Sequence, residues 1–130
     1  MESLEARTTL IEEDLTGAIR QTAYEVHTYF GNGFLEKVYE NALAHRLRKK
    51  GLDVVQQQVL KVCDEDGTVV GEYCADLIVN GRVLVEVKAV RSLTDNHAAQ
   101  VLNYLKTTVL RVGLLVNFGT QKLRCKRFVL

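Results

Sequence analysis

Three charged side chains stand among aliphatic residues in the stretch EYCADLIVNGRVLVEVK, residues 72–88. They are Asp76, Glu86 and Lys88, and burying a charge without a partner is costly, so their presence in an apolar segment needs a reason. Two carboxylates on one sheet face can hold a hard divalent cation such as Mg²⁺. A neighbouring ammonium can polarise the attacking water or hold the scissile phosphate, and together these groups support metal-assisted phosphodiester hydrolysis. From this segment alone, a salt bridge on a solvated face is the favoured interpretation, because structural ion pairs resemble sites.

The register of the hairpin decides whether the three charged side chains share a face. The apolar residues of both strands are odd-numbered, so a common core face requires paired positions with an even sum. A three-residue loop with Gly81 in the left-handed conformation of a bulge meets this condition. It predicts that Ile78 pairs with Arg82 and that Asp76 pairs with Leu84. The three charged side chains then lie on one face.

The periodicity of apolar residues predicts the elements that position this hairpin. Steps of three and four residues indicate helices at about 14–30, 34–50 and 94–108. Alternation indicates strands at about 53–63, 69–79, 82–90, 112–118 and 122–130. The order α-α-β-β-β-α-β-β predicts an α/β sandwich with a mixed central β-sheet flanked by helices. Residues 1–13 have weak periodicity and are expected to be loosely ordered.

Length and composition indicate one globular domain. The 130 residues are 47% hydrophobic and 25% charged, enough for a substantial core. A net charge of +1 gives no global field for nucleic acid, so such binding must come from a local patch. There is no apolar run of membrane-spanning length and the N-terminus is acidic, so we expect a cytoplasmic protein with no membrane association. Three scattered cysteines, Cys63, Cys74 and Cys125, indicate small buried side chains rather than disulfides or a zinc site.

The segment GFLEKVY at residues 33–39 matches the motif that names the GxxExxY proteins, a small bacterial and archaeal family. That family is placed in the PD-(D/E)XK nuclease-like superfamily. The stretches GEYCADLIV, LVEVKAV, HAAQVLNYL and RVGLLVNFG extend the resemblance over residues 15–130. One departure is Ala75, which stands where the nominal motif has the proline before the aspartate. The resemblance implies a single-domain PD-(D/E)XK fold over residues 1–130 and a nuclease dependent on Mg²⁺ or Mn²⁺.

The resemblance also implies roles for the charged residues of the hairpin. Asp76 is the motif aspartate, and Glu86 and Lys88 form the E-x-K pair. The two acids would hold the metal ion with the backbone carbonyl of Val87, and the lysine would orient or activate the attacking water. Glu36, on the second helix, resembles the helix glutamate that many superfamily nucleases add to the metal site.

Four residues on the helices are further candidates. Gln100 and Tyr104 resemble the Q-x-x-x-Y element of exonuclease-like members, in which Gln100 would position water or substrate and Tyr104 would support the helix. Gln100 could equally hydrogen-bond across the helix–sheet seam. His97 lies one turn earlier on the same side, where capping or phosphate contact competes with a role as general base. Tyr39 neighbours Glu36 and suits a core or support role better than a catalytic one.

Lys122, Arg124 and Lys126 alternate on the last strand and share one face. Such a strip can track a phosphate backbone, or it can keep an exposed edge strand from pairing with other chains. The resulting prediction is a nuclease acting on DNA rather than RNA, with a homodimer or a partner protein supplying any sequence readout. The rival is a non-catalytic nucleic-acid- or protein-binding module that retains the nuclease fold. A third interpretation is a buried structural network of the acids and the lysine.

Overall fold

The computed structural model describes residues 12–130. Its elements are α1 Glu13–Phe30, α2 Glu36–Lys49, β1 Val54–Cys63, β2 Val69–Val79, β3 Val83–Lys88, α3 Asp95–Lys106, β4 Val112–Asn117 and β5 Arg124–Val129. The predicted α/β class and element order are confirmed, with boundaries within about two residues of expectation for most elements. The loosely ordered segment expected at 1–13 falls outside the described residues except for Glu12 and Glu13, and Glu13 already begins α1.

The five strands form one mixed sheet in the order β1-β2-β3-β4-β5. The β3–β4 pair is parallel and the other three pairs are antiparallel. Two parallel neighbours need a crossover connection, and α3 supplies it between β3 and β4. The edges of the sheet are therefore β1 and β5. None of the helices in residues 12–130 has the length and apolarity needed to cross a membrane.

The hairpin of β2 and β3 has a different register from the predicted one. Val79 pairs with Val83, and Ile78 pairs with Leu84. The predicted three-residue loop, the even sum and the left-handed Gly81 (φ 62°) are confirmed, but the pairings of Ile78 with Arg82 and of Asp76 with Leu84 are wrong. The reason is burial, since Val79 is fully buried and stays in the strand, whereas Arg82 is exposed and belongs to the loop.

The corrected register changes which residue faces Asp76. The pairing continues as far as Leu77 with Val85. One further step in the same register places Asp76 opposite Glu86 rather than opposite Leu84. The two acids are therefore cross-strand neighbours, a closer relationship than the sequence predicted.

Both faces of the sheet carry a hydrophobic cluster. Helices α1 and α2 cover the larger one, which includes Ile19, Leu43, Leu77 and Val85. The smaller cluster lies under α3, and its members are Leu60, Ala75, Leu84, Val101, Tyr104, Leu105 and Leu115. Because side chains alternate along a strand, the even-numbered positions of β3 face α3 and the odd-numbered positions face the other two helices.

Several large apolar side chains are solvent-exposed. Val109 is 97% exposed because α3 ends at Lys106 and Val109 lies beyond it. Leu35 is 81% exposed and lies before the first turn of α2. The expectation of buried cysteines is wrong for Cys63 and Cys74, which are exposed on β1 and β2. Cys125 is partly buried, and all three thiols are free.

Tyr39 joins the ends of the first two helices. Its hydroxyl donates to the carbonyl of Gly31 at 2.6 Å and accepts from the N–H of Phe34 at 3.1 Å. The ring is fully buried and stacks on Phe118 with centroids 4.7 Å apart. These contacts make it a support residue of the α1–α2 turn, in agreement with the core role preferred from the sequence.

Tyr39→Phe is expected to lower the free energy of unfolding by about 1 kcal/mol, because it removes both hydrogen bonds of the hydroxyl while keeping the stacked ring. Urea unfolding followed by circular dichroism measures this difference. Tyr24→Phe is the matched control, since Tyr24 is 58% exposed on α1. Equal effects of the two substitutions would show that the hydroxyl of Tyr39 does not support the turn.

Candidate active site

The carboxylates of Asp76 and Glu86 are interlocked across β2 and β3. Each accepts a hydrogen bond from the backbone of the other's strand. The N–H of Asp76 donates to Oε1 of Glu86 at 3.2 Å, and the N–H of Val87 donates to Oδ2 of Asp76 at 2.7 Å. Glu86 is 3% exposed, whereas Asp76 is half-buried and open to solvent on one side. The sheet therefore presents two adjacent carboxylates, one of them accessible.

Burial is the main reason why the pKa of Glu86 is raised to about 9, and the neighbouring Asp76 carboxylate adds to the effect. The ammonium of Lys88 opposes it. Two carboxylates this close are costly to ionise together, so Glu86 is protonated in the metal-free protein at neutral pH. Titratable groups perturbed by burial and a specific charge are typical of functional sites, although structural networks also produce them.

Lys88 extends from the same face of β3 as Glu86. It is half-buried, and its side chain takes part in none of the salt bridges or hydrogen bonds found within residues 12–130. The ion pairs of Lys88 with Asp76 or Glu86, which the hairpin alone favoured, are therefore not formed in this part of the chain. The backbone of Lys88 is fixed by the N–H of Phe118, which donates to its carbonyl at 2.8 Å.

Strand geometry places the carbonyl of Val87 on the side of β3 that faces β2. In an extended strand the N–H and C=O of one residue point to the same side, and the N–H of Val87 is bonded to Asp76. The pairing of β2 with β3 ends two residues earlier, at Val85. By this geometry the carbonyl oxygen of Val87 lies on the Asp76 side of β3, and its role as a metal ligand stays a prediction.

Helix α3 covers one side of the acids with Tyr104. The phenol is 5% exposed, and burial followed by the charges of Glu86 and Asp76 raises its pKa to about 12. Its ring contacts that of Tyr73 edge-on, with centroids 4.8 Å apart. Tyr73 is 39% exposed on β2, and sequence reasoning did not single it out for this position beside the site.

The other two candidates on α3 differ in their contacts. His97 belongs to a capping box, in which its Nδ1 accepts from the N–H of Thr94 at 3.0 Å and its own N–H donates to the Thr94 hydroxyl at 3.4 Å. The structure thus gives His97 the capping role, and a neutral ring carries its proton on Nε2. Gln100 is partly buried, and no hydrogen bond of its side chain occurs within residues 12–130.

Glu36 lies apart from the two acids of the hairpin. It is exposed in the first turn of α2, and nothing in residues 12–130 bonds it to Asp76 or Glu86. In the same part of the chain, no three His, Cys, Asp or Glu side chains are grouped closely enough to hold one metal ion. The assignment of Glu36 as a metal ligand stays a prediction.

A different glutamate of α2 is connected to the site. Glu40 is 4% exposed, and its carboxylate accepts from Lys37 at 3.2 Å and from Gln56 and Gln57 at 2.7 Å each. The amide of Gln57 also donates to Oδ1 of Asp76 at 3.2 Å. Sequence reasoning missed this network, although one signal was present: three consecutive glutamines in a predicted strand break the apolar alternation.

Gln57 has a left-handed backbone in the middle of β1, with φ 53°. Such a conformation costs a residue with a side chain about 1–2 kcal/mol. Successive side chains of a regular strand point to opposite faces, so Gln56 and Gln57 could not both reach one carboxylate. The left-handed residue removes this restriction, and both amides contact Glu40.

The basic residues at the end of the chain lie on the same face of the sheet as Glu86 and Lys88. On β4, Asn117 pairs with Lys88 of β3 on one side and with Arg124 of β5 on the other. In the same way, Leu115 pairs with Glu86 and with Lys126. Paired positions share a face, and two strand spacings separate β3 from β5 by about 10 Å. Arg124, Lys126 and the preceding Lys122 are exposed. Both predicted roles, a phosphate track and a protected edge, are compatible with this placement.

Comparison with known proteins agrees with this architecture. A family model described as the PD-(D/E)XK nuclease superfamily matches residues 13–128. The crystal structure of SSO0001 is similar with a TM-score of 0.61 and 19% identity, over 95% of this chain and 61% of that one. The chain thus spans about three fifths of that protein. An alkaline exonuclease (LHK-Exo) from Laribacter hongkongensis aligns with a TM-score of 0.44 and 14% identity, over 72% of this chain and 55% of the exonuclease.

Among curated protein sequences no significant match is found. At such low identity the likeness to SSO0001 shows the fold alone. The family model, in contrast, covers nearly the whole chain, from the start of α1 into β5. The narrower resemblance to GxxExxY proteins stays a prediction. The chain belongs to the PD-(D/E)XK nuclease superfamily.

Proposed function

We propose that this chain is a divalent-metal-dependent nuclease that hydrolyses phosphodiester bonds of DNA, with Asp76, Glu86 and Lys88 as its active-site residues. The observation that carries the proposal is the interlocked carboxylate pair, in which a buried glutamate with a raised pKa adjoins a solvent-accessible aspartate. A lysine that forms no salt bridge within residues 12–130 extends from the same face. Membership of a nuclease superfamily supports this use of the site.

The donor set fits Mg²⁺ or Mn²⁺. Asp76, Glu86 and the carbonyl of Val87 offer the oxygen atoms that hard cations prefer, and a nearby positive charge would favour ionisation of Glu86, whose pKa is raised by burial and by the Asp76 carboxylate. When bound, the ion would polarise the scissile phosphate and make a bound water more acidic. Glu36 remains a predicted additional ligand from α2.

The protein's own side chains bind and orient the substrate in this proposal. The Lys88 ammonium orients the attacking water or the scissile phosphate. Arg124 and Lys126, about 10 Å away across the sheet, contact neighbouring phosphates. Gln100 positions water or substrate, and Tyr104 excludes solvent from the buried side of the acids. Sequence readout requires a second copy of the chain or a partner protein.

The proposal is tested by cleavage of supercoiled plasmid DNA in Mn²⁺, in Mg²⁺ and in EDTA. We expect metal-dependent nicking or degradation, and we expect Asp76→Asn to reduce its rate by about 100-fold or more, because it removes one of two charged ligands. Asp53→Asn, at an exposed position before β1, is the matched control. A fully active Asp76→Asn would overturn the assignment.

DNA binding without cleavage in the presence of either Mn²⁺ or Mg²⁺ would favour the non-catalytic module. An RNA substrate assayed in parallel tests the preference for DNA.

A further inference from the structure

Gln57 connects helix α2 to the acidic pair with a single amide group. Its Nε2 donates to Oε1 of Glu40 at 2.7 Å and to Oδ1 of Asp76 at 3.2 Å. An amide nitrogen has two N–H bonds, so these two contacts use both of them. Glu40 is buried and is itself held by Lys37 and Gln56. The Glu40 carboxylate, itself held in place, therefore fixes the position of the Gln57 amide.

The contact from Gln57 completes the support of Asp76. Oδ2 of Asp76 is held by the N–H of Val87 on one side, and Oδ1 is held by Gln57 on the other. With one hydrogen bond to each oxygen from two different strands, the plane of the carboxylate is fixed. The left-handed backbone of Gln57 is what directs its side chain to this position. Strained backbone persists where the surrounding contacts require it, and it is concentrated at functional sites.

We propose that Glu40 and Gln57 are positioning residues that set the orientation of the Asp76 carboxylate for binding the divalent cation. The inference rests on the proposed function, because it assumes that Asp76 is a ligand. Neither residue touches the ion or the substrate. Glu40 orients the amide of Gln57, and Gln57 orients Asp76, in the way that outer groups orient the ligands of a metal site.

The first test measures Mn²⁺ affinity by titration calorimetry. Gln57→Leu removes the link, and its dissociation constant for Mn²⁺ is expected to rise about tenfold or more. Gln58→Leu is the matched control, because Gln58 is exposed on the same strand and, within residues 12–130, its amide hydrogen-bonds only to the neighbouring carbonyl of Val59. Glu40→Gln keeps one acceptor oxygen for Gln57, so it should retain more affinity than Glu40→Leu.

A second variant separates loss of the link from loss of folding. Gln57→Gly also removes the amide, but glycine adopts a positive φ without strain. Its thermal midpoint should therefore be at least as high as that of Gln57→Leu, while its Mn²⁺ affinity falls by a similar factor. Normal Mn²⁺ affinity in Gln57→Gly would overturn the inference, because the amide of Gln57 would then not be needed to position Asp76.

A metal-free readout makes the inference independent of nuclease activity. The amide of Val87 donates to Asp76, so its hydrogen exchange in EDTA, measured by NMR relative to Val85, reports whether Asp76 is still in place. We expect faster exchange at Val87 in Gln57→Leu and no change in Gln58→Leu. Unchanged exchange, or faster exchange with unaltered Mn²⁺ affinity, would overturn the inference. If the wild-type protein binds no Mn²⁺, the proposed function fails, and the Val87 exchange alone then decides whether Gln57 holds Asp76.

Discussion

Replacing Lys88 by alanine is expected to slow Mn²⁺-dependent DNA cleavage by about 100-fold or more, while the free energy of unfolding changes by less than about 1 kcal/mol. The activity falls because a fixed positive charge beside the acids is lost where negative charge develops on the phosphate. The stability is preserved because the Lys88 side chain makes no salt bridge or hydrogen bond within residues 12–130. A residue with a structural role would show the opposite pattern.

The measurement compares single-turnover cleavage rates at saturating Mn²⁺. Saturation matters because the Lys88 charge acts on Glu86 and on any bound cation, so its removal also changes metal affinity. Lys61→Ala is the matched control, since Lys61 is an exposed lysine of β1. Lys88→Arg keeps the charge but changes its shape, and it should retain part of the activity. If Lys88→Ala cleaves DNA as fast as Lys61→Ala does, Lys88 has no part in the reaction.

The second large effect concerns stability and pH, and it depends on Glu86. Its pKa in the folded protein is about 9, against 4.5 for an unperturbed glutamate. Between these values the folded state holds one proton more than the unfolded state, so stability decreases as the pH rises, by up to about 1.4 kcal/mol per pH unit. Glu86→Gln is neutral at every pH and removes this loss. The difference in the free energy of unfolding between Glu86→Gln and the wild type should be small near pH 5 and should grow in favour of Glu86→Gln toward pH 9.

Urea unfolding in EDTA at pH 5.5, 7.0 and 8.5 measures this difference. Glu72→Gln is the control, because Glu72 is an exposed glutamate of β2 and its substitution should leave the pH dependence of the wild type unchanged. Added Mn²⁺ should restore wild-type stability at alkaline pH and should have less effect on Glu86→Gln, since a ligand that binds only the folded state stabilises it. Parallel pH dependence in the wild type and Glu86→Gln would show that Glu86 ionises normally.

The elements of this fold were predictable because each has a clear apolar period and a marked end. It was also predictable that odd-numbered residues of β2 pair with odd-numbered residues of β3, since the valines of β3 must share one buried face. The exact pairing was not, because the loop can start before or after Val79, and only the burial of that side chain decides between the two. For the same reason, the direct opposition of Asp76 and Glu86 was not foreseen from the sequence.

The site was predictable where it depends on one hairpin and not where it depends on the packing of a helix. Glu36 and Glu40 are four residues apart, so they lie near one another on the surface of α2. Which of them reaches the sheet is set by how the helix is seated on β1, and the structure connects Glu40. The run of three glutamines marks a break in the apolar alternation, but a left-handed backbone within a strand has no local sequence signature, and so the contact of Gln57 with Asp76 was not anticipated.

The strained backbone of Gln57 has a consequence for engineering this protein. A redesign that selects only for thermal stability would replace Gln57 with glycine, or would restore regular strand geometry at this position. Either change would relieve the free-energy cost of the left-handed conformation at this position. It would also remove the amide that contacts Asp76. In this chain, therefore, relieving the backbone strain at Gln57 would disturb the arrangement of the acids.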